Sequence, residues 1–216
     1  MEDVEADALA DVASGLFEIL LNKELRKQGS YLFERVEREE DFRDSFEDIF
    51  REFRKDYPQL AEALLKRFEE TGKIYRLICS GEGIVPTKTT QMYWIVQDAP
   101  AEIPARTDDE QVGKWLVFLE RDEADDMWKK IRNATREGKL GISAKVSTAK
   151  ENPESRDNRI VIYVYTPDWE DEPDVMRVRE VLRELGIEHR IGYKRNIETY
   201  HGEYSDKGKK VTYYSV

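Results

Sequence analysis

The run Ile160-Val161-Ile162-Tyr163-Val164-Tyr165, a helix beginning near Asp171, then Gly186 and the run His189-Arg190-Ile191-Gly192-Tyr193-Lys194 read as strand, helix, strand. The first run is β-branched and aromatic with no turn former inside it, which suits a half-buried strand. Asp171 is an acceptable N-cap, with more acid in the first turn. Val175, Val178, Leu182 and Leu185 lie on one helical stripe, and Gly186 can adopt the left-handed backbone that closes a helix. The same order stands upstream: Trp115-Leu116-Val117-Phe118, a helix from near Asp122 with Met127, Trp128, Ile131 and Ala134 as its stripe, Gly138, then Gly141-Ile142-Ser143-Ala144-Lys145-Val146. Two such units predict a twisted sheet with helices over one face. The other face stays open unless the N-terminal helices cover it, and an open concave face is a common ligand site.

Around this repeat the spacing predicts further elements. Leu9, Val12, Leu16, Ile19 and Leu20 form one helical stripe, and Phe42, Phe46, Ile49, Phe50, Phe53 and Tyr57 form a sharper one expected to pack inward. Pro58 suits the first turn of a third helix with Leu60, Leu64 and Phe68 inside, closing at Gly72. Ile74 to Ser80 and Gln91 to Gln97 read as strands around the Gly81-Glu82-Gly83 turn, and Lys114 to Glu120 reads as a third. Asp98 to Gly113 and Lys150 to Arg159 are connecting loops, and Lys210 to Tyr214 is a last strand. The division expected is an acidic helical region over 1–72 and an α+β domain over 73–216.

Composition bounds the function. The 216 residues carry a formal charge of -11 with 39% hydrophobic content, and 8 Phe, 11 Tyr and 4 Trp supply a core, so disorder throughout is excluded. The charge is uneven: 20 acidic against 11 basic residues lie in 1–70, while basic residues outnumber acidic ones after Gly186. An acidic total argues against non-specific nucleic-acid binding by the whole surface and leaves a local basic cleft open. No apolar run is long enough for a bilayer and no leader pattern opens the chain, so no membrane and a cytoplasmic location are expected. The one cysteine, Cys79, allows neither an internal disulfide nor a cysteine metal cluster. Two histidines exclude a three-histidine zinc site, and no metal or cofactor is expected.

The chemistry-bearing residues point to an anion. Lys145 and Lys194 sit at equivalent ends of the strands that follow the two helices. With Arg195 and the hydroxyls of Ser143, Ser147 and Thr148 they can converge on a phosphate; each lysine taken alone reads equally as a solvated strand-end charge. Trp169, in the loop before the second helix, and Trp115 are candidates for stacking a base, with helix-entry packing the plainer reading of Trp169. His201, beside basic residues, and Lys145 are the candidate proton carriers should there be catalysis. The series Asp168, Asp171 and Asp174 could hold a cation, but Asp171 and Asp174 are better explained as helix N-terminal acids.

The runs Gly113-Lys114-Trp115-Leu116-Val117-Phe118 and Gly138-Lys139-Leu140-Gly141-Ile142-Ser143-Ala144-Lys145-Val146-Ser147, with Val164-Tyr165-Thr166-Pro167-Asp168 through Arg179 to Tyr193-Lys194, resemble the uncharacterised basophilic leukaemia-expressed protein-like family, UPF0696. The resemblance covers roughly 73–214. It implies a fold similar to translation initiation factor 4E, a curved, largely antiparallel sheet with helices on one face, in place of a parallel doubly wound one. Some members are described as phosphothreonine lyases. That would make Lys145 a base and Arg177, Arg179, Arg190 or Arg195 phosphate ligands, although no lysine and histidine stand two residues apart as in the bacterial lyases. The leading expectation is a cytoplasmic protein that binds an RNA end or nucleotide through a basic sheet edge. The alternatives are a phosphate-processing enzyme and an interaction module whose acidic helices bind a protein partner or the chain's own cleft.

Overall fold

A computed structural model describes residues 2–100, 110–152, 158–200 and 212–216, by backbone alone at 2–6, 199 and 200. The chain divides into two compact units: Met1–Tyr93 with Thr148–Pro153, and Trp94–Ser147 with Glu154–Val216.

The first unit is helical: α1 (Glu2–Lys27), α2 (Leu32–Glu37), α3 (Arg43–Asp56), α4 (Pro58–Phe68) and α5 (Thr71–Cys79). Its core is aromatic, with the Phe17 ring 5.2–5.5 Å from those of Phe46, Phe50 and Phe53. The Phe42 to Phe53 stripe packs inward as its spacing predicts. Three expectations fail in this unit. The run from Ile74 to Ser80 is helix α5 rather than a strand, because Ile74, Tyr75 and Ile78 are buried at helical spacing; a short apolar run does not declare its period by itself. On α1 the buried face is Ala10, Ala13, Phe17, Leu21 and Leu25, whereas Leu9, Val12 and Ile19 are exposed. The buried face of α1 thus joins two alanines to Phe17, Leu21 and Leu25, while Leu16 and Leu20 of the expected stripe are partly buried against the same core. Helix α4 also ends earlier than Gly72, at Glu69 with φ 69°.

The Gly81-Glu82-Gly83 turn is structural. The buried Glu82 carboxylate accepts from the Thr90 and Gln91 backbone N–H groups. Glu18 shares a pocket of about 20 Å³ with it, among Phe17, Leu64 and Ile78. Burial, then the Glu82 charge, pushes the Glu18 carboxyl up to about 8. The folded chain therefore keeps a proton that the unfolded chain has lost between pH 4.5 and 8, so stability falls as pH rises through that window. Glu18→Gln is expected to remove this slope and to stabilise the helical unit by about 1–3 kcal/mol at pH 8. Urea titrations followed by far-UV circular dichroism at pH 5 and pH 8 would check it; equal stabilities of the two proteins at pH 8 would contradict it.

The second unit is the α+β fold. One six-stranded antiparallel sheet has the order β1-β3-β4-β2-β5-β6, with β1 Trp94–Asp98, β2 Gly113–Leu119, β3 Ser143–Ser147, β4 Ile160–Thr166, β5 Gly192–Arg195 and β6 Tyr214–Ser215. Helices α6 (Arg121–Arg136) and α7 (Glu172–Glu184) follow β2 and β4, so both predicted strand-helix-strand units are present. Asp171 caps α7 as expected, its carboxylate accepting from the Asp174 N–H at 3.2 Å. A short helix α8 (Asn196–Tyr200) follows β5. The predicted last strand is met only by β6, and Lys210 and Val211 lie outside the described residues.

Every second strand residue enters the core with Trp128, Ile131, Val175, Val178 and Leu182 from the helices: Ile95, Ala144, Val146, Ile162, Val164, Trp115, Val117 and Tyr193. The fully buried Arg179 donates to the carbonyls of Ile187 at 2.7 Å, His189 at 2.8 Å and Val216 at 3.1 Å, tying the middle of α7 to the segment that follows it and to the residue after β6.

Candidate functional site

With one set of alternate residues under the helices, the other set forms the opposite face. Direct antiparallel partners share a face. One row runs Lys145, Tyr163, Leu116 and Gly192 across β3, β4, β2 and β5. The adjacent row runs Ser143, Tyr165, Lys114 and Lys194. Trp94, at the start of β1, stacks on Tyr163 with ring centroids 5.3 Å apart. A cleft of about 990 Å³ opens on this face, lined by Trp94, Lys114, Lys145, Tyr163 and Lys194, with Arg159, His189 and Arg190 toward one end.

The cations are held on aromatic faces. The Lys145 ammonium lies 4.2 Å from the Trp94 ring centroid and 5.4 Å from that of Tyr163. The Lys114 ammonium lies 5.2 Å from Tyr163 and 5.5 Å from Tyr165, and donates to Asn196 Oδ1 at 3.0 Å. Ring quadrupoles attract a cation and take the place of part of its lost hydration. Lys114 and Lys194 are both buried, and like charges directly opposite on one sheet face repel. Burial first, then the Lys145 and Lys194 charges, pull the Lys114 amine down to about 8; burial lowers Lys145 as well.

The sign of the linkage follows. Between pH 8 and 10.5 the unfolded chain holds a proton that folded Lys114 has released, so charging Lys114 costs stability at low pH and the cost is relieved as pH rises. Lys114→Met is expected to stabilise this unit by about 1 kcal/mol at pH 7, with the gain shrinking above pH 8. All four tryptophans lie in this unit, so denaturant titration by their fluorescence reads it directly. A variant less stable than the wild type at pH 7 would contradict the expectation.

Of the residues singled out in the sequence, Lys145, Lys194, Ser143 and Ser147 lie on the open face, where the Ser147 hydroxyl accepts from the Val161 N–H at 2.9 Å. Lys145 and Lys194 line the same cleft although β4 and β2 run between their strands. Arg195 is not brought to them. As the neighbour of Lys194 it points to the other side of the sheet, where it pairs with Glu198 at 2.9 Å and stacks 4.9 Å from Trp169. Trp115 is fully buried under the helices and its indole N–H donates to Val175 O at 3.1 Å, so it presents no ring to a base. Trp169 packs on the core edge, donates to Glu110 O and gives one ring face to Arg195, which is the packing role. Thr148 donates to Met92 O within the helical unit.

Of the arginines in the lyase reading, Arg177 holds Asp174 and Lys139 O, and Arg179 is structural; Arg190 lines the cleft, as does Arg159. His201 lies outside the described residues. The residues that the sequence reading missed are Lys114, Trp94, Tyr163 and Tyr165. Their signal was present in the period of two, since Lys114, Leu116 and Phe118 are the outward half of their strand, but it took the register of β2 against β4 and β5 to join them. Among the described residues, no group of three or more His, Cys, Asp or Glu is placed to hold a metal ion, and no helix is long and apolar enough to cross a membrane.

Comparison with known proteins gives one family: the model for basophilic leukemia-expressed protein Bles03 matches residues 89–202, more than half of the chain. Similar solved structures include a schistosome eIF4E complexed with m7GpppA and 4E-BP, at 16% identity and a TM-score of 0.40 over 54% of this chain and 66% of that one. Another is Caenorhabditis elegans eIF4E-3 with the 4E-binding protein Mextli and a cap analog, at 20% identity and a TM-score of 0.36 over 54% and 65%. A third is Ascaris suum eIF4E-3 with an m2,2,7G cap, at 20% and 0.33 over 44% and 58%. The chain spans less than two thirds of the length of each, and what those proteins bind is a statement about them.

Proposed function

The chain belongs to the Bles03 family, whose matched segment contains every aromatic and lysine of the open face, and from that premise we propose that this face binds a phosphorylated ligand, an RNA end or a nucleotide. The observation that carries the reading is the convergence of Lys114, Lys145 and Lys194 on one cleft beside the Trp94 and Tyr163 rings. A phosphate between the lysines relieves a repulsion already present, which is the electrostatic condition for an anion site. Trp94 and Tyr163 bring aromatic surface beside the lysines, and base stacking on such rings is tolerant of sequence. Ser143, one strand from Tyr165, adds a hydroxyl.

The reading also accommodates an acidic protein with a basic site, since most of the excess acid lies in the helical unit. A 5′-triphosphorylated RNA oligomer is expected to bind at least 10-fold more tightly than the same oligomer with a 5′-hydroxyl, with affinity falling as salt rises. Fluorescence anisotropy over a salt series measures both. Equal affinities for the two ends, or no salt dependence, would overturn the proposal.

A further inference from the structure

Three lysines in one cleft do not stand in equivalent places. Lys145 is partly exposed at the aromatic side. Lys194 is on β5 toward the far edge. Lys114 lies between them, directly opposite Lys194 and one strand from Tyr165, with its Nζ fixed by Asn196 Oδ1 at 3.0 Å and set against two ring faces. An amine flanked by two ammonium groups and lodged out of water is the arrangement that releases a proton near neutral pH and turns lysine into a nucleophile.

We propose that Lys114 forms an imine with the carbonyl of a small phosphorylated aldehyde whose phosphate is held by Lys194 and Lys145. This uses the same basic face as the proposed function and goes beyond the nucleotide reading, because it gives the middle lysine covalent chemistry that phosphate binding does not require. In the step, the Nζ lone pair attacks the carbonyl carbon, a C–N bond forms and the C=O π pair moves to oxygen. A proton transferred from nitrogen gives the neutral carbinolamine. Loss of hydroxide, which takes up the remaining nitrogen proton, leaves C=N and one water, with nothing oxidised or reduced. The lowered affinity of Lys114 for its proton makes the attacking form abundant from about pH 8 instead of near 10.5. Lys194, directly opposite Lys114 on β5, and Lys145 line the same cleft as the partners for the phosphate.

The test uses the full chain with pyridoxal 5′-phosphate as the probe, reduced with borohydride and mapped by peptide mass spectrometry. Expected is one phosphopyridoxyl group at Lys114 at sub-stoichiometric probe. It should form at least 10-fold faster than with pyridoxal, which lacks the phosphate, and be suppressed by inorganic pyrophosphate. Lys114→Arg should lose the labelling, and the wild-type protection by pyrophosphate keeps the test valid whether or not that variant folds. Labelling spread evenly over surface lysines, or equal rates with pyridoxal, would overturn the proposal. Lys114 labelling without any affinity for RNA ends or nucleotides would sink the proposed function and leave this inference standing. RNA-end binding with no label at Lys114 would do the reverse.

Discussion

Replacing Lys145 and Lys194 together by alanine is expected to lower the affinity for a 5′-triphosphorylated RNA about 100-fold. Each lysine supplies one charge-assisted contact to phosphate, worth about 1.5 kcal/mol or roughly tenfold in binding. Two lost contacts should also reduce the slope of log K against log salt by about 1.4 for a single strand. That second readout separates the lost contacts from a general weakening, because a partly unfolded protein loses affinity at every salt concentration without that change of slope. Lys139→Ala, an exposed lysine paired with Glu137, is the control and should leave both affinity and slope unchanged. An unchanged slope in the double variant would mean that phosphate is bound elsewhere on the protein.

Gly141→Ala is expected to be the most damaging single substitution, costing about 3 kcal/mol or more of the stability of the α+β unit. A Cβ at Gly141 would stand 1.8 Å from the Tyr165 carbonyl oxygen, and that oxygen is the acceptor for the Ile142 N–H at 2.9 Å. Backbone on both sides leaves nothing flexible to yield, so β3 and β4 must separate where they begin to pair. The displacement would also reach the cleft, since Tyr165 lies between Ser143 and Lys114. Gly15→Ala gives the opposite sign: a Cβ there meets nothing within 4 Å, and alanine in a helix interior gains about 1 kcal/mol over glycine. Tryptophan fluorescence reads the first substitution and far-UV circular dichroism the second. A Gly141→Ala protein of wild-type stability would contradict the close approach.

Local chemistry made part of this legible. The β-branched and aromatic run Ile160 to Tyr165, the Asp171 cap and the stripe of α7 announce strand, helix and buried face from neighbours a few residues apart. They also place Lys145 and Lys194 on outward positions. Where local signals are balanced the reading fails: Ile74 to Ser80 satisfies a strand by composition and becomes α5, and α1 turns Ala10, Ala13, Phe17, Leu21 and Leu25 inward, a face about one residue round from the expected stripe.

The candidate site needed more than period. The sequence by itself determined the strand-helix-strand units with their buried helix stripes, the position of Lys145 and Lys194 on the strands after those helices, and that most of the excess acid would lie in the N-terminal helices. It could not determine that β4 and β2 lie between β3 and β5. That order puts Lys114 between Lys145 and Lys194, and the alternation of the strand sends Arg195 to the other face. Strand order is decided by contacts between residues far apart in the chain, where the burial of one whole sheet face under two helices outweighs any local preference. A cluster of like charges is therefore visible only once tertiary structure has paired the strands.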